Sequence, residues 1–442
     1  MKKSILSVAV ASVAFAASVT AQTSLTPANY PGIITDPGDG TYNVVAPLNL
    51  GANGEYILER PTFVVAGGEF IAGEGTIVRG QPEVAPADPG ILIVTREGYI
   101  ECIGTSTNPV IFTTAADSAG GTWTTGDAFL DADPKNNPLS LRKGLWGAVV
   151  ILGNGPINTG SLDTGIAGEA YIEGIPDDPR IVYGGTDSND NSGILRYVSI
   201  RYSGRTIIDG DEIQGLTTGG VGAGTTLEFI EVFGSDDDGI EIFGGDTEVK
   251  YLLLVGHDDD GFDGDHGWQG TAQFVCIVNS YADYNSDHAI ELDGDDTGDL
   301  GGDEDNISSD GRPFASGHLT NFTIIGFSHT DAPYPGGQDT AVRFRRGFGG
   351  SFTNSLISGF QDATENNEGL ELDNDGGVLD GGSDLPVLAG YGSIKTADRV
   401  RQGSFIIAGT TWYNVADNTA AGVAEGSDSV EVDVLTNNSA VA

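Results

Sequence analysis

The sequence predicts an all-β chain wound into a single right-handed parallel β-helix, a solenoid with lateral loops, and three observations predict it. First, 67 of the 442 residues are glycine, and runs of Val, Ile, Thr, Phe and Tyr are broken by Gly, Asp and Asn. Such runs between turn-forming residues read as strands. Second, amphipathic helical periodicity is almost absent. Third, one two-strand unit returns at a near-constant interval, which is the mark of a repeat architecture.

The chain opens with Lys2 and Lys3, an apolar run from Ile5 to Val19 and the small residues Val19, Thr20 and Ala21. A basic start, a short apolar core and a small-residue cleavage site read as a secretory signal peptide over residues 1–21. Export to the extracellular space, the cell surface or the periplasm is therefore expected. No later run of 18 apolar residues occurs, so no membrane span is expected in the mature chain. Residues 22–380 read as the β-helix, with insertions near 115–145, 159–190 and 294–317. Residues 381–442 read as a C-terminal coil or cap and a tail.

Early coils are legible in YILERPTFVVAGGEFIAGEGTIVRG, in ILIVTREGYIECIGTSTNPVIFTT and in WGAVVILGNGPIN from Trp146. The repeat is clearest after residue 195. A first strand, A, begins at Leu195, Leu227, Val249, Ala272, Leu319 and Phe352. A second, shorter strand, B, reads GIEIF at Gly239, GFDGD at Gly261, AIELD at Ala289, AVRFR at Ala341 and GLELD at Gly369. The steps from Leu227 to Val249 and from Val249 to Ala272 are nearly equal, each about 22 residues, as solenoid repeats require. One coil carries a longer return, from Ile290 to Leu319, and it holds the Asp/Gly-rich insertion. Each coil must stack on its neighbours to bury its apolar face. Leu195, Leu227, Val249, Ala272 and Leu319 would then form one interior ladder, with an aromatic ladder of Tyr197, Phe229, Tyr251 and Phe274 beside it.

Strand B alternates, so its faces can be read directly. Ile240, Phe262, Ile290, Val342 and Leu370 should point inward. Glu241, Asp263, Glu291, Arg343 and Glu371 should point outward, followed two residues on by Phe243, Asp265, Asp293, Arg345 and Asp373. The preceding turns add Asp236, Asp237 and Asp238, then Asp258, Asp259 and Asp260, then Asp287. Like charges on coils about 4.8 Å apart repel, and something must offset this. Divalent calcium, which takes six to eight oxygen ligands, is the cofactor expected, with Asp237, Asp238, Glu241, Asp259, Asp260, Asp263, Asp265, Asp287, Glu291 and Asp293 as its ligand set. A solvated acidic face is the alternative. The turns match neither the EF-hand loop nor the GGxGxD repeat, so calcium rests on oxygen chemistry alone.

The formal charge of −44 excludes nucleic acid as a partner, since its recognition needs a basic surface. Charge of this size also keeps a protein soluble in salty surroundings. Cys102 and Cys276 both sit in apolar strand patterns and are expected as two buried thiols. His266 and His288 fall near the acidic face, and Tyr284 and Tyr334 lie in turns of changing length. Together with Arg343 and Arg345 they are the candidate ligand-binding residues. No nucleophile elbow, HExxH, P-loop or dinucleotide fingerprint occurs.

The segments NPVIFTT, WGAVVILGN, IEGIP, LRYVSIRYSG and DEIQGLTTGGVGAGTTLEFIEV, followed by SDDDGIEIFGG, HDDDGFDGDHG and NFTIIG, resemble a family of exported bacterial β-helix proteins. The likeness covers about residues 40–360 and implies fold and export. In fold the chain also looks like pectate-lyase-type and polygalacturonase-type enzymes. That resemblance implies uronic acid held through Ca²⁺ with a Lys or Arg base, or catalysis by an Asp cluster. Asp238, Asp260, Asp263 and Asp265 with Arg343 are the catalytic candidates it suggests. Fold alone does not imply function. Two readings follow: a non-enzymatic, cation-stabilised protein that binds an extracellular glycan or cell-surface component, and a polysaccharide lyase or glycoside hydrolase working on the carboxylate face.

Overall fold

A computed structural model describes residues 22–82, 88–117, 143–159, 164–208, 213–279, 286–294, 313–326, 340–345, 347–360, 369–372, 405–413 and 439–441. The expected signal peptide, most of the 115–145 and 294–317 insertions, most of the C-terminal region, and Tyr284, Tyr334 and Asp373 lie outside those residues.

The chain is a right-handed parallel β-helix. The B strands Leu216–Gly219, Ile240–Phe243, Phe262–Asp265, Ile290–Asp293, Val342–Arg345 and Leu370–Leu372 pair in sequence, each parallel to the next. The A strands Gly193–Arg201, Thr226–Phe233, Glu248–Val255, Thr271–Val278 and His318–Ile325 do the same. The register is the one the intervals predict: Leu195, Leu227, Val249, Ala272 and Leu319 stand in one buried column. On the B side, Ile240, Phe262, Ile290, Val342 and Leu370 form its partner. Among the described residues no helix is long and apolar enough to cross a membrane.

The aromatic ladder is found where expected along the axis, but outside the helix. Tyr197, Phe229, Tyr251 and Phe274 have φ between 54° and 59°, in the left-handed region, and Asn321 and Asn354 hold the same place in the next coils. One such residue inserts an extra step into the strand and turns it through a corner. Inward positions then run Leu227, Ile230, Val232 and Val249, Leu252, Leu254, with spacings of three and then two. Strict alternation from Leu227 would have sent Phe229 inward; the corner sends it out. The same shift corrects the expectation for the cysteines. Cys102 is buried, but Cys276 follows the corner at Phe274 and is half-buried on the outer face, between the inward Val275 and Ile277. Both thiols are free.

The lateral segments 154–159 and 164–185 do not stand away from the helix. Ile157, Ala170, Ile172, Ile175, Ile181 and Tyr183 form a second apolar cluster with Phe243, Ala148 and Val150 on the outside of the B sheet. Tyr183 lies over Gly219, where a Cβ would come within 2.7 Å of the ring. Polar ties fix the segments as a wall: the Asn158 amide donates to the Gly294 carbonyl at 2.9 Å, and the Arg96 guanidinium reaches Glu169 at 2.7 Å.

Candidate metal centre on the B face

Each B strand contributes outward side chains to columns that run along the helix axis. The first column after the inward residue reads Thr217, Glu241, Asp263, Glu291, Arg343 and Glu371. The second pairs Phe243 with Asp265, and Asp293 with Arg345. A third column lies in the turn, two residues before each inward residue, and holds Gln214, Asp238, Asp260 and His288.

The turn column has a backbone role of its own. Asp238 Oδ1 accepts the amide of Asp260 at 2.7 Å, and Asp260 Oδ1 accepts the amide of His288 at 2.6 Å. The last Asp of each DDDG turn therefore staples its coil to the next, satisfying an amide that the short B ladder leaves over.

Outward does not mean solvated here. Asp238 and Glu241 are 5% exposed, Glu291 8% and Asp293 1%, because the lateral wall closes one flank of the face. The wall even adds charge: the Gln214 amide donates to Glu173 Oε1 at 2.7 Å, and Glu173 raises the pKa of Glu241. The solvated acidic surface considered from the sequence is thus replaced, at these residues, by a buried one. Burial of unpaired carboxylates is costly, so the question is which of them own a cation.

Three groups do. Lys143 bridges Asp236, at 3.1 Å, and Asp258. His288 Nδ1 lies 3.1 Å from Asp260, 3.5 Å from Glu291 and 3.7 Å from Asp287. Burial disfavours its charged ring, but these carboxylates outweigh it and lift the pKa to about 10. Arg345 Nε stands 2.5 Å from Asp293 and 2.6 Å from Glu291, while Arg343 reaches Glu291 at 3.5 Å and Glu371 at 3.2 Å. Burial would raise Glu291, but His288, Arg345 and Arg343 together hold it below the usual carboxylate range.

Asp238 and Glu241 have no such relief. Burial pushes both carboxyls far up, and the strongest charges acting on them are other carboxylates: Asp237, Asp263, Asp260 and Asp259 on one, Glu173, Asp263, Asp238 and Asp265 on the other. Asp263 is raised by burial, then by Asp260, Glu291 and Asp293, with Arg345 the one opposing charge among its main influences. Burial and neighbouring carboxylates carry Asp259 to about 6, and burial carries Asp260 to about 8 against the pull of His288. Oxygen atoms of Asp238, Glu241 and Asp263 lie within 4.8 Å of one another, as do those of Asp237, Asp238 and Asp259. Two oxygens each about 2.4 Å from one Ca²⁺ can be no more than about 4.8 Å apart, so each triad meets the spacing that sharing one ion requires. Asp260, His288 and Glu291 make a third triad of this span, but there the imidazolium already supplies the positive charge.

His266 does not join these groups. Its Nδ1 makes a short hydrogen bond to the Tyr183 hydroxyl, and its ring stacks on Tyr183 with centroids 6.0 Å apart, so it anchors the wall. Lys143, Glu173 and Gln214 belong to the face but were not singled out from sequence. They reach it from other coils and from the wall, and no local motif marks them.

The sequence matches the family described as the pectate-lyase like beta helix domain over residues 134–384. Among solved structures, the crystal structure of the periplasmic alginate epimerase AlgG is similar over 90% of this chain and 80% of its own, at 8% sequence identity and a TM-score of 0.34. No curated protein matches.

Proposed function

The chain belongs to the pectate-lyase-like beta helix domain family, and from that premise we propose that it is an exported, glycan-facing binding protein whose B face holds a divalent cation. Calcium is the ion its donors suit, since all are carboxylate oxygens. Asp238, Glu241 and Asp263 would hold it, with Asp237 and Asp259 serving the adjoining turn. Asp265, Asp287 and Asp293 extend the acidic rim. One observation carries the reading: Asp236, Asp258, Asp260, Glu291, Asp293 and Glu371 each stand beside Lys143, His288 or an arginine, whereas the main charges acting on Asp238 and Glu241 are negative. The family's name points to acidic polysaccharide, and a bound cation would let so acidic a surface meet one.

A thermal-melt titration tests this. Adding Ca²⁺ to EDTA-stripped protein should raise Tm, by about 2.7 kcal/mol of stabilisation when the ion stands at 100 times its Kd. Glu241→Gln should melt higher than the parent in EDTA, because the buried side chain no longer has to take up a proton on folding, and should lose most of the Ca²⁺ increment. A parent melting point indifferent to both Ca²⁺ and EDTA would sink the proposal.

A second reading, catalysis by the same face, is favoured by one contrast. Asp263 and Glu291 are register partners on adjacent coils, yet the first is driven up and the second down. Carboxylates split in this way suit an acid and its companion in sugar chemistry. Product formation on a uronic-acid or neutral polymer, abolished by Asp263→Asn, would replace binding with catalysis.

A further inference from the structure

The outer face of the A sheet changes character along the axis. In the earlier coils it carries charge: Arg196 pairs with Glu228 at 2.9 Å, and Arg201 with Glu231. From Lys250 onward the charges stop. Beyond the corner and beside it, the outward positions of the four strands covering 250–255, 273–278, 320–325 and 353–358 hold a single charged residue, Lys250. In a chain with 64 acidic residues this is a large departure. The positions are shared by apolar side chains and uncharged polar ones such as Gln273, Thr323 and Ser358. Tyr251, Leu253, Phe274, Ile325 and Leu356 are all exposed, between 36% and 44%, and Cys276 sits among them. The next coil continues the trend with Ile406 and Tyr413, which are about half exposed.

Exposed contiguous apolar surface on a soluble protein marks an interaction site. We propose that this face is where two copies of the chain pair, sheet on sheet, about a two-fold axis. The charge distribution of the molecule permits that partner here. Two chains of net charge −44 repel wherever their acidic surfaces meet, and this face lets them touch without opposing like charges. It is also self-complementary in kind, as an isologous contact requires. The rings argue against a sugar as occupant. Tyr251 stacks between Phe229 and Phe274, with centroids at 4.4 Å and 5.1 Å, so its π-faces are already covered and only an edge is presented. Size agrees with a weak dimer. Five coils at about 4.8 Å and six residues at about 3.3 Å give a patch of roughly 24 by 20 Å. That is about 1,000 Å² over a pair, near the lower bound of specific interfaces.

Cys276 is a native probe of this contact, because the other thiol, Cys102, is fully buried. Sedimentation of the full chain from about 1 to 200 μM, run beside maleimide labelling of Cys276, tests the pairing. A monomer–dimer equilibrium is expected, with labelling slowing at least fivefold as dimer accumulates. Leu253→Glu with Leu356→Glu should abolish both effects. Both positions are exposed, and an unchanged circular dichroism spectrum confirms that the variant is folded. A parent that stays monomeric across the range overturns the proposal. So does a dimer in which Cys276 labels at the same rate at every concentration, or one that survives the double substitution.

Discussion

Arg345 neutralises two of the most deeply buried carboxylates of the B face. It touches Glu291 and Asp293, both nearly inaccessible, and its own pKa is driven up by that company once the opposing effect of burial is overcome. Removing one member of a buried ion pair leaves the other charge uncompensated, which costs about 3 kcal/mol or more. Arg345→Met, similar in length, should therefore lower stability by about 3 kcal/mol in urea or thermal melts and leave the fold recognisable by circular dichroism. A change within about 0.5 kcal/mol, the size of an ordinary surface substitution, would mean that Arg343 and His288 already neutralise the pair. At this scale the sequence was partly legible. Alternation alone placed Glu241, Asp263, Glu291 and Arg343 in one column. It gave no sign of Lys143, whose partners Asp236 and Asp258 stand far along the chain from it.

The corner of the A strand is a property of the element. Left-handed φ costs a non-glycine residue about 1–2 kcal/mol, less for asparagine, whose side chain can bond locally. Asn321 and Asn354 meet this in the later coils, whereas Phe229 sits at the corner as an aromatic residue. Its ring stacks on Tyr197 at 4.5 Å and Tyr251 at 4.4 Å, nearly parallel to each, and such pairs contribute about 0.5–1.5 kcal/mol apiece. Stacking and strain are thus of similar size. Phe229→Asn, which loses both stacks but relieves strain, should destabilise by no more than about 1 kcal/mol. Phe229→Ala, which loses both stacks and keeps the strain, should cost about 2 kcal/mol or more. Equal losses in chemical denaturation would show that the backbone at this corner is not strained.

For the whole molecule the acidic face sets how stability varies with pH. Without metal, Asp259 and Asp260 titrate at about 6 and 8, above the ordinary 3.8, so the folded chain holds protons that the unfolded chain has released. Their contribution is lost as pH climbs through those values. The His288 contribution is complete below 6.5 and is lost as pH rises through about 10, which runs the same way. Glu291, held low, matters only below its ordinary 4.5. In EDTA, Tm should fall steadily from pH 5 to pH 9. With saturating Ca²⁺ the decline between pH 5 and 8 should flatten, because the ion takes the place of the protons. A Tm that rises with pH in EDTA would contradict the charge distribution described for this face.

By itself the sequence determined the winding of the chain. A near-constant coil interval with inward Leu, Val and Ile at fixed offsets admits one register, since any slip would expose the interior column. It also determined that carboxylates stack on the B side, because side-chain alternation is a local property of a strand. Only the tertiary structure decided the rest. The left-handed corner reversed the alternation that would have buried Phe229 and Cys276, and φ at one residue is set by how successive coils pack. The wall of residues 154–159 and 164–185 turned an outward column into a buried one, through contacts between residues far apart in sequence. The location of Lys143, His288 and Arg345 then decided which carboxylates are neutralised within the chain. Asp238 and Glu241 are the ones whose main neighbouring charges are negative, which is where the proposed cation would bind.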